Sequence, residues 1–176
     1  KEGEESHRIY LHEKWVEYIT DEVVPKIQWI AKERNGWDDD PGVLIFGCSL
    51  GASHALNLYL RRPDLFDGWM ALSGIYTGAF GFPNYTNEAV YYNSPVDYMP
   101  NFPMDHPYMD LYRNQRAVVC AGQGAWEEPE TTIKLKQIFA EKGIPIWVDL
   151  WGNDVNHDWP WWHKQVVYFM PYLMGE

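Results

Sequence analysis

Val43-Leu44-Ile45-Phe46-Gly47-Cys48-Ser49-Leu50-Gly51 is the stretch on which the reading of this sequence turns. Its first four residues are apolar without polar alternation, the pattern of a strand buried on both faces of a parallel sheet. The next five fit G-x-S-x-G, and Ser53 to Arg62, stopped by Pro63, reads as a helix. Three fixed positions alone carry little weight: with glycine and serine each near 7% of residues, they arise by chance in roughly one chain of this length in twenty. Between a strand and a helix the pattern means more. A serine there sits in a strained turn, and the flanking glycines remove Cβ atoms that would meet the strand and the helix. Its hydroxyl is lifted above the sheet edge, and the N–H of Leu50, at the helix start, faces the place where an oxyanion would form.

The same rhythm runs outward from this turn. Trp69 to Ser73, Ala117 to Ala121 and Ile146 to Trp151 read as further strands, and Glu130 to Lys142 as a helix. A last helix starts at Asp158 or Trp159 and runs to Leu173. Strands alternating with helices imply βαβ units, hence an α/β fold with a parallel sheet and helices on both faces. Upstream, Ile9 to Arg34 carries apolar residues at helical spacing, with Trp15, Ile19, Val23, Ile27, Ile30 and Ala31 near one face. Pro25 marks a kink or a fresh helix start within it. Residues 75–115 break the rhythm with five prolines among Tyr, Asn and Gly, and read as an irregular insertion over a site. The whole, residues 1–176, is expected to be one domain.

Composition narrows the function. A formal charge of −11 disfavours nucleic acid or an anionic membrane surface as partner and suits a neutral, small-molecule or carbohydrate-linked substrate. No run approaches the roughly 20 apolar residues of a membrane span. Cys48 and Cys120 lie in apolar strand ends and read as buried thiols, which favours a reducing, cytoplasmic setting. The 10 Trp and 12 Tyr read as core packing or as walls for aryl or sugar rings.

Serine is a weak nucleophile without a base and a group to orient that base. The loop after the third strand, Gly122 to Glu128, offers Glu127 and Glu128, and the loop after the fourth, Gly152 to Asp158, offers His157. Serine, acid, histidine is the chain order of α/β-hydrolases. Ser49 is thus the candidate nucleophile and His157 the candidate base; Glu127, Glu128 and Asp154 compete as the acid, and burial should decide among them. Hydrolysis by such a set requires neutral imidazole, so it should rise with pH through the range in which imidazole ordinarily titrates.

His157-Asp158-Trp159-Pro160-Trp161-Trp162, Gly47 to Ala52, and Glu22-Val23-Val24-Pro25 together resemble the esterase family of α/β-hydrolases that includes esterase D and the feruloyl esterases. The resemblance covers most of the chain. It implies an ester hydrolase without cofactor or metal, with the histidine before Asp-Trp, His157, as base, and with the family's Gly-x-x-acid pattern falling on Gly124 to Glu127. It also implies several strands before the first helix, which this sequence does not show. The strand Val43 to Phe46 is therefore expected to be an open apolar edge, covered by a preceding segment or by a second copy. Two rival readings are an acyltransferase on the same fold and a binding module derived from it.

Other residues have plainer expectations. Asp154, His157, Asp158 and His163 match no standard metal spacing. His54 reads as packed or capping, and His106 as an insertion residue that could reach substrate. Trp159, Trp161 and Trp162 should pack the last helix and fix the histidine loop. Tyr76, Phe80, Phe82, Tyr85, Tyr91 and Tyr92 either wall the substrate or anchor the insertion. Asp38 to Asp40 is a solvated turn.

Overall fold

The computed structural model describes residues 2–176. Four strands, β1 (Leu44–Cys48), β2 (Gly68–Leu72), β3 (Arg116–Ala121) and β4 (Trp147–Leu150), form one parallel sheet in the order β1-β2-β3-β4. Each strand therefore lies beside its neighbour in sequence, and every connection crosses over the sheet. The helices are α1 (Glu2–Tyr18), α2 (Val24–Asn35), α3 (Leu50–Arg61), α4 (Gly78–Gly81), α5 (Glu88–Tyr92), α6 (Pro95–Tyr98), α7 (Tyr108–Asn114), α8 (Glu130–Glu141) and α9 (Trp159–Met174).

Side-chain alternation along the central strands divides the core in two. Trp69, Ala71, Ala117 and Val119 face α3 and α8, joined there by Leu56, Leu135 and Phe139. Met70, Leu72, Val118 and Cys120 face α9, which contributes Trp162, Phe169 and Leu173. The expected parallel sheet with helices on both faces is thus present. All five residues of β2 are buried, whereas Phe46 at the centre of β1 is 50% exposed. Among the described residues β1 pairs only with β2 and is an open edge, as the sequence implied.

The amino-terminal helix differs from expectation. It begins at Glu2, and a π-helical turn over Ile19–Val23 joins α1 to α2, with Pro25 in the first turn of α2, where its missing N–H costs nothing. Thr20 contributes to the irregularity by donating its hydroxyl back to the Val16 carbonyl at 3.1 Å. The buried face is Ile9, Val16, Thr20 and Val24; Trp15 and Ile27, expected inward, are exposed. The periodicity was real but one face out, because polar Thr20 takes an inward position that a hydropathy reading assigns to apolar residues.

The insertion is more regular than its prolines suggested. It holds four short helices, two of them capped by Thr77 and Asn87 side chains. Tyr76, Tyr98 and Tyr112 are buried in the main core, so Tyr76 anchors this segment and does not wall a substrate.

Candidate active site

Four strand ends build the site. At the end of β1, Ser49 takes φ 55° and ψ −126°, outside the regions comfortable for a residue with a Cβ and costing about 1–3 kcal/mol. Two features hold it there. Its N–H donates to the Leu72 carbonyl at 2.9 Å, and Gly47 lets the backbone of Gly51 pass where a Cβ would collide. The expectation that both glycines clear space needs correcting: a Cβ at Gly51 would meet nothing within 4 Å. Gly51 is the close backbone itself, and only Gly47 must be bare.

At the end of β4, the loop brings His157 Nε2 to 2.8 Å from Ser49 Oγ across 108 residues of sequence. The position of His157 is fixed on both sides. Its N–H donates to the Ala125 carbonyl at 3.0 Å, and the next residue, Asp158, is the N-cap of α9, accepting from Trp159 N at 2.7 Å. The run His-Asp-Trp-Pro is thus a histidine placed one residue before a capped helix with proline in its first turn. Trp162, one turn on, sets its ring edge-on to the imidazole at 5.0 Å.

At the end of β3, Glu127 is the carboxylate turned inward: its side chain is 2% exposed, while Glu128, Asp154 and Asp158 are exposed. Its Oε2 lies 3.7 Å from His157 Nδ1, longer than a hydrogen bond, and that nitrogen has no hydrogen-bond partner among the described residues. A buried ring nitrogen and a buried carboxylate facing each other require only a shift to about 3 Å to pair, and such contacts commonly tighten when substrate binds. The two loops are zipped together: Gly124 N donates to the Val155 carbonyl at 2.9 Å, and Ala125 N to Asn156 Oδ1 at 2.8 Å. Gly124 has to be glycine, since a Cβ would strike Asn156 and the Val155 carbonyl.

At the end of β2 stands a residue that the sequence reading missed. Ser73 also has a positive φ, 55°, and its hydroxyl donates to Glu127 Oε1 at 2.7 Å while accepting from the Trp162 indole at 3.0 Å. Ser73 thus links the carboxylate to the tryptophan that flanks the imidazole. The only signal for it was a serine closing a buried strand ahead of Gly74. Trp126, between Ala125 and Glu127, is the other unanticipated residue: it has φ 66° and is 88% exposed at the rim.

These ends enclose a cavity of about 370 Å³ bordered by Ser49, Leu50, Ser73, Phe80, Trp126 and His157, in the crevice beyond the carboxyl ends of parallel strands. Leu50, first in α3, borders this space, and its N–H has no helical acceptor. Of the three last-helix tryptophans, only Trp162 is buried; Trp159 is 61% exposed, edge-on to Trp162 and tilted against His163. His106 lies elsewhere, against Phe102 and Tyr108. Cys48 and Cys120 are free thiols, each with its pKa raised by burial. Among the described residues no group of His, Cys, Asp or Glu could hold a metal ion, and no helix is long and apolar enough to cross a membrane.

Known structures share this framework. A ferulic acid esterase superposes with a TM-score of 0.67 at 22% identity, covering 89% of this chain and 59% of its own. An S-formylglutathione hydrolase from Agrobacterium tumefaciens gives 0.62 at 14% identity, covering 90% and 55%. The fluorophosphonate-binding serine hydrolase F of Staphylococcus aureus gives 0.57 at 12%, covering 74% and 53%. The chain therefore spans less than two thirds of each of these relatives, and at such identities the likeness is one of fold. No curated protein matches the chain by sequence. The family model described as "Putative esterase" matches residues 4–170, and the chain belongs to that esterase family, with an α/β-hydrolase fold.

Proposed function

We propose that this chain hydrolyses carboxylic esters through an acyl-enzyme on Ser49. The observation that carries the reading is the 2.8 Å approach of His157 Nε2 to Ser49 Oγ at a strained strand-to-helix turn. His157, with its proton on Nδ1 facing Glu127, takes the hydroxyl proton as Ser49 Oγ attacks the ester carbon. The oxyanion that forms faces the Leu50 N–H. Collapse expels the alcohol, which receives the proton from Nε2, and the ester carbonyl is now bonded to Ser49. Water then attacks by the same route, releasing the acid and restoring the serine. Glu127 keeps the imidazole in the required tautomer and balances its charge when it is protonated.

A second oxyanion donor belongs beside Leu50, on the side where β1 is unpaired. We assign it to whatever covers that edge, a preceding segment or a second copy of the chain. Native mass spectrometry of the whole protein separates these: a dimer supports the second copy, and a longer single chain supports the segment. Hydrolysis of p-nitrophenyl acetate that disappears in Ser49→Ala supports the esterase reading, and full activity in that variant overturns it. Product analysis with added glycerol tells hydrolysis from acyl transfer.

A further inference from the structure

Among the described residues, those other than glycine with a positive φ all stand at the rim: Ser49, Ser73 and Trp126. Backbone strain of this kind persists only where the surrounding structure over-determines it, and it gathers at working sites. Ser49 carries the nucleophile, and Trp126 directly precedes Glu127. Ser73 has no part in the acyl-transfer scheme above, yet its turn is tied down from both sides. Its N–H carries the sheet ladder on to the Cys120 carbonyl at 2.7 Å. Two residues later, Ser53 of α3 grips Ile75: its hydroxyl donates to the Ile75 carbonyl at 2.6 Å and accepts from the Ile75 N–H at 3.3 Å. From the other side, Thr131 of α8 accepts from the Tyr76 N–H at 3.3 Å. Ser53 lies about one helical turn after Ser49, so the segment carrying Ser73 is registered to the helix that follows the nucleophile.

The direction of each hydrogen bond at the Ser73 hydroxyl is forced. An indole N–H can only donate, so Ser73 Oγ accepts from Trp162. A hydroxyl has one proton to give, and here it goes to Glu127 Oε1. The result is a one-way chain of donors, Trp162 to Ser73 to Glu127. Both of its ends are enclosed by protein, where such bonds are not readily exchanged for bonds to water. With Oε1 held, the carboxylate does not turn about its last bond, and Oε2 is the oxygen left facing His157 Nδ1.

We infer that Ser73 is a positioning residue of this site: its hydroxyl, steered by Trp162, holds Glu127 Oε1 and so aims Oε2 at the Nδ1–H of His157, which keeps the imidazole turned to Ser49. It acts through Glu127 and not on the ester. The inference rests on the esterase reading for the step it serves. Without the hydroxyl the carboxylate is free to rotate, and the Nδ1 proton loses a fixed acceptor. The cost then falls on the rate of bond making and not on the capture of substrate.

Ser73→Gly is the test, because glycine is at ease at φ 55° and the change removes only the hydroxymethyl group. A serine that merely makes the turn is replaced there without loss. For a positioning residue, kcat for p-nitrophenyl acetate falls about 10- to 100-fold while KM stays within about twofold. In a Glu127→Ala background the same change moves kcat by less than about twofold, since the group through which Ser73 acts is gone. Ser73→Ala, which keeps the Cβ, should give the same pattern. Parental kcat in Ser73→Gly, or an equal factor in both backgrounds, overturns the proposal. A second measurement needs no turnover: the proton resonance of His157 Nδ1–H, assigned by its absence from His157→Gln, should be far downfield in the parent and broadened by exchange in Ser73→Gly. An unchanged resonance also overturns the proposal. A parent that hydrolyses no ester but loses the resonance in Ser73→Gly counts against the esterase reading alone.

Discussion

The two margins of the sheet are built on opposite terms. Along the rim where the strands end, side chains from distant loops are interlocked: Trp162 donates to Ser73, Ser73 donates to a Glu127 that is almost wholly enclosed, and His157 sits between that carboxylate and Ser49. On β1 and on the first two helices, large apolar groups stand in water, among them Phe46, Tyr10, Leu11, Trp15, Ile27 and Trp29. Isolated exposed apolar residues are ordinary, but an unpaired apolar strand edge with Phe46 half exposed is what a covering strand would pair with. The rim is therefore interlocked within the chain and the β1 flank is not, so substitutions should act mainly through chemistry at one and through association at the other.

The largest contrast is expected from Ser49→Ala, which should lower kcat for p-nitrophenyl acetate by about 10⁴-fold or more and abolish fluorophosphonate labelling. Glu127→Gln comes next, with a loss of about 10²–10⁴-fold, while Glu128→Gln, on an exposed carboxylate, should stay within about threefold. Equal effects at 127 and 128 would mean that burial chose the wrong acid. Ser73→Ala leaves an indole N–H and a carboxylate oxygen unpaired in the interior, and should cost about 1–3 kcal/mol in denaturant unfolding together with part of the activity.

A smaller effect concerns the junction between the margins, where α1 meets α3 at His54. Its folded pKa of about 4 lies below the ordinary 6.5 because burial disfavours the charged ring. The unfolded chain therefore binds the proton first. The stability that this histidine contributes is complete above about pH 6.5 and is lost as pH falls toward about 4. Denaturation midpoints measured across that window should decline more steeply in the parent than in His54→Phe. The smallest change is predicted for Phe46→Lys, less than about 0.5 kcal/mol if the edge is bare, with reduced self-association in sedimentation. A large loss of stability there would show the flank to be already covered.

The strand-to-helix turn, the alternation of strands and helices and the chain order of serine, acid and histidine were all legible, because each leaves a local mark: an apolar run, two glycines, a loop position. The open edge was legible too, since an apolar strand with no earlier strand to pair with has only one neighbour. Between Glu127 and Glu128 the residues themselves left the choice open; the resemblance favoured Glu127 through its Gly-x-x-acid pattern, and burial points the same way. Ser73 was invisible for a related reason: its role depends on what lies beside β2 in space, and serine at a strand end is unremarkable in sequence. The inward face of α1 was misread because Thr20 satisfies its hydroxyl on its own helix and so can be buried without a partner elsewhere.

Strand order matching chain order has a consequence for synthesis. Each new crossover unit docks onto the edge left by the one before, so the sheet can extend while the chain emerges, always away from β1. Ser49 is made first, Glu127 follows with the loop after β3, and His157 arrives with β4 and the helix that locks its loop. A nascent chain that stops before β4 lacks the His157 imidazole, so the proposed site is assembled only after that strand has joined the sheet.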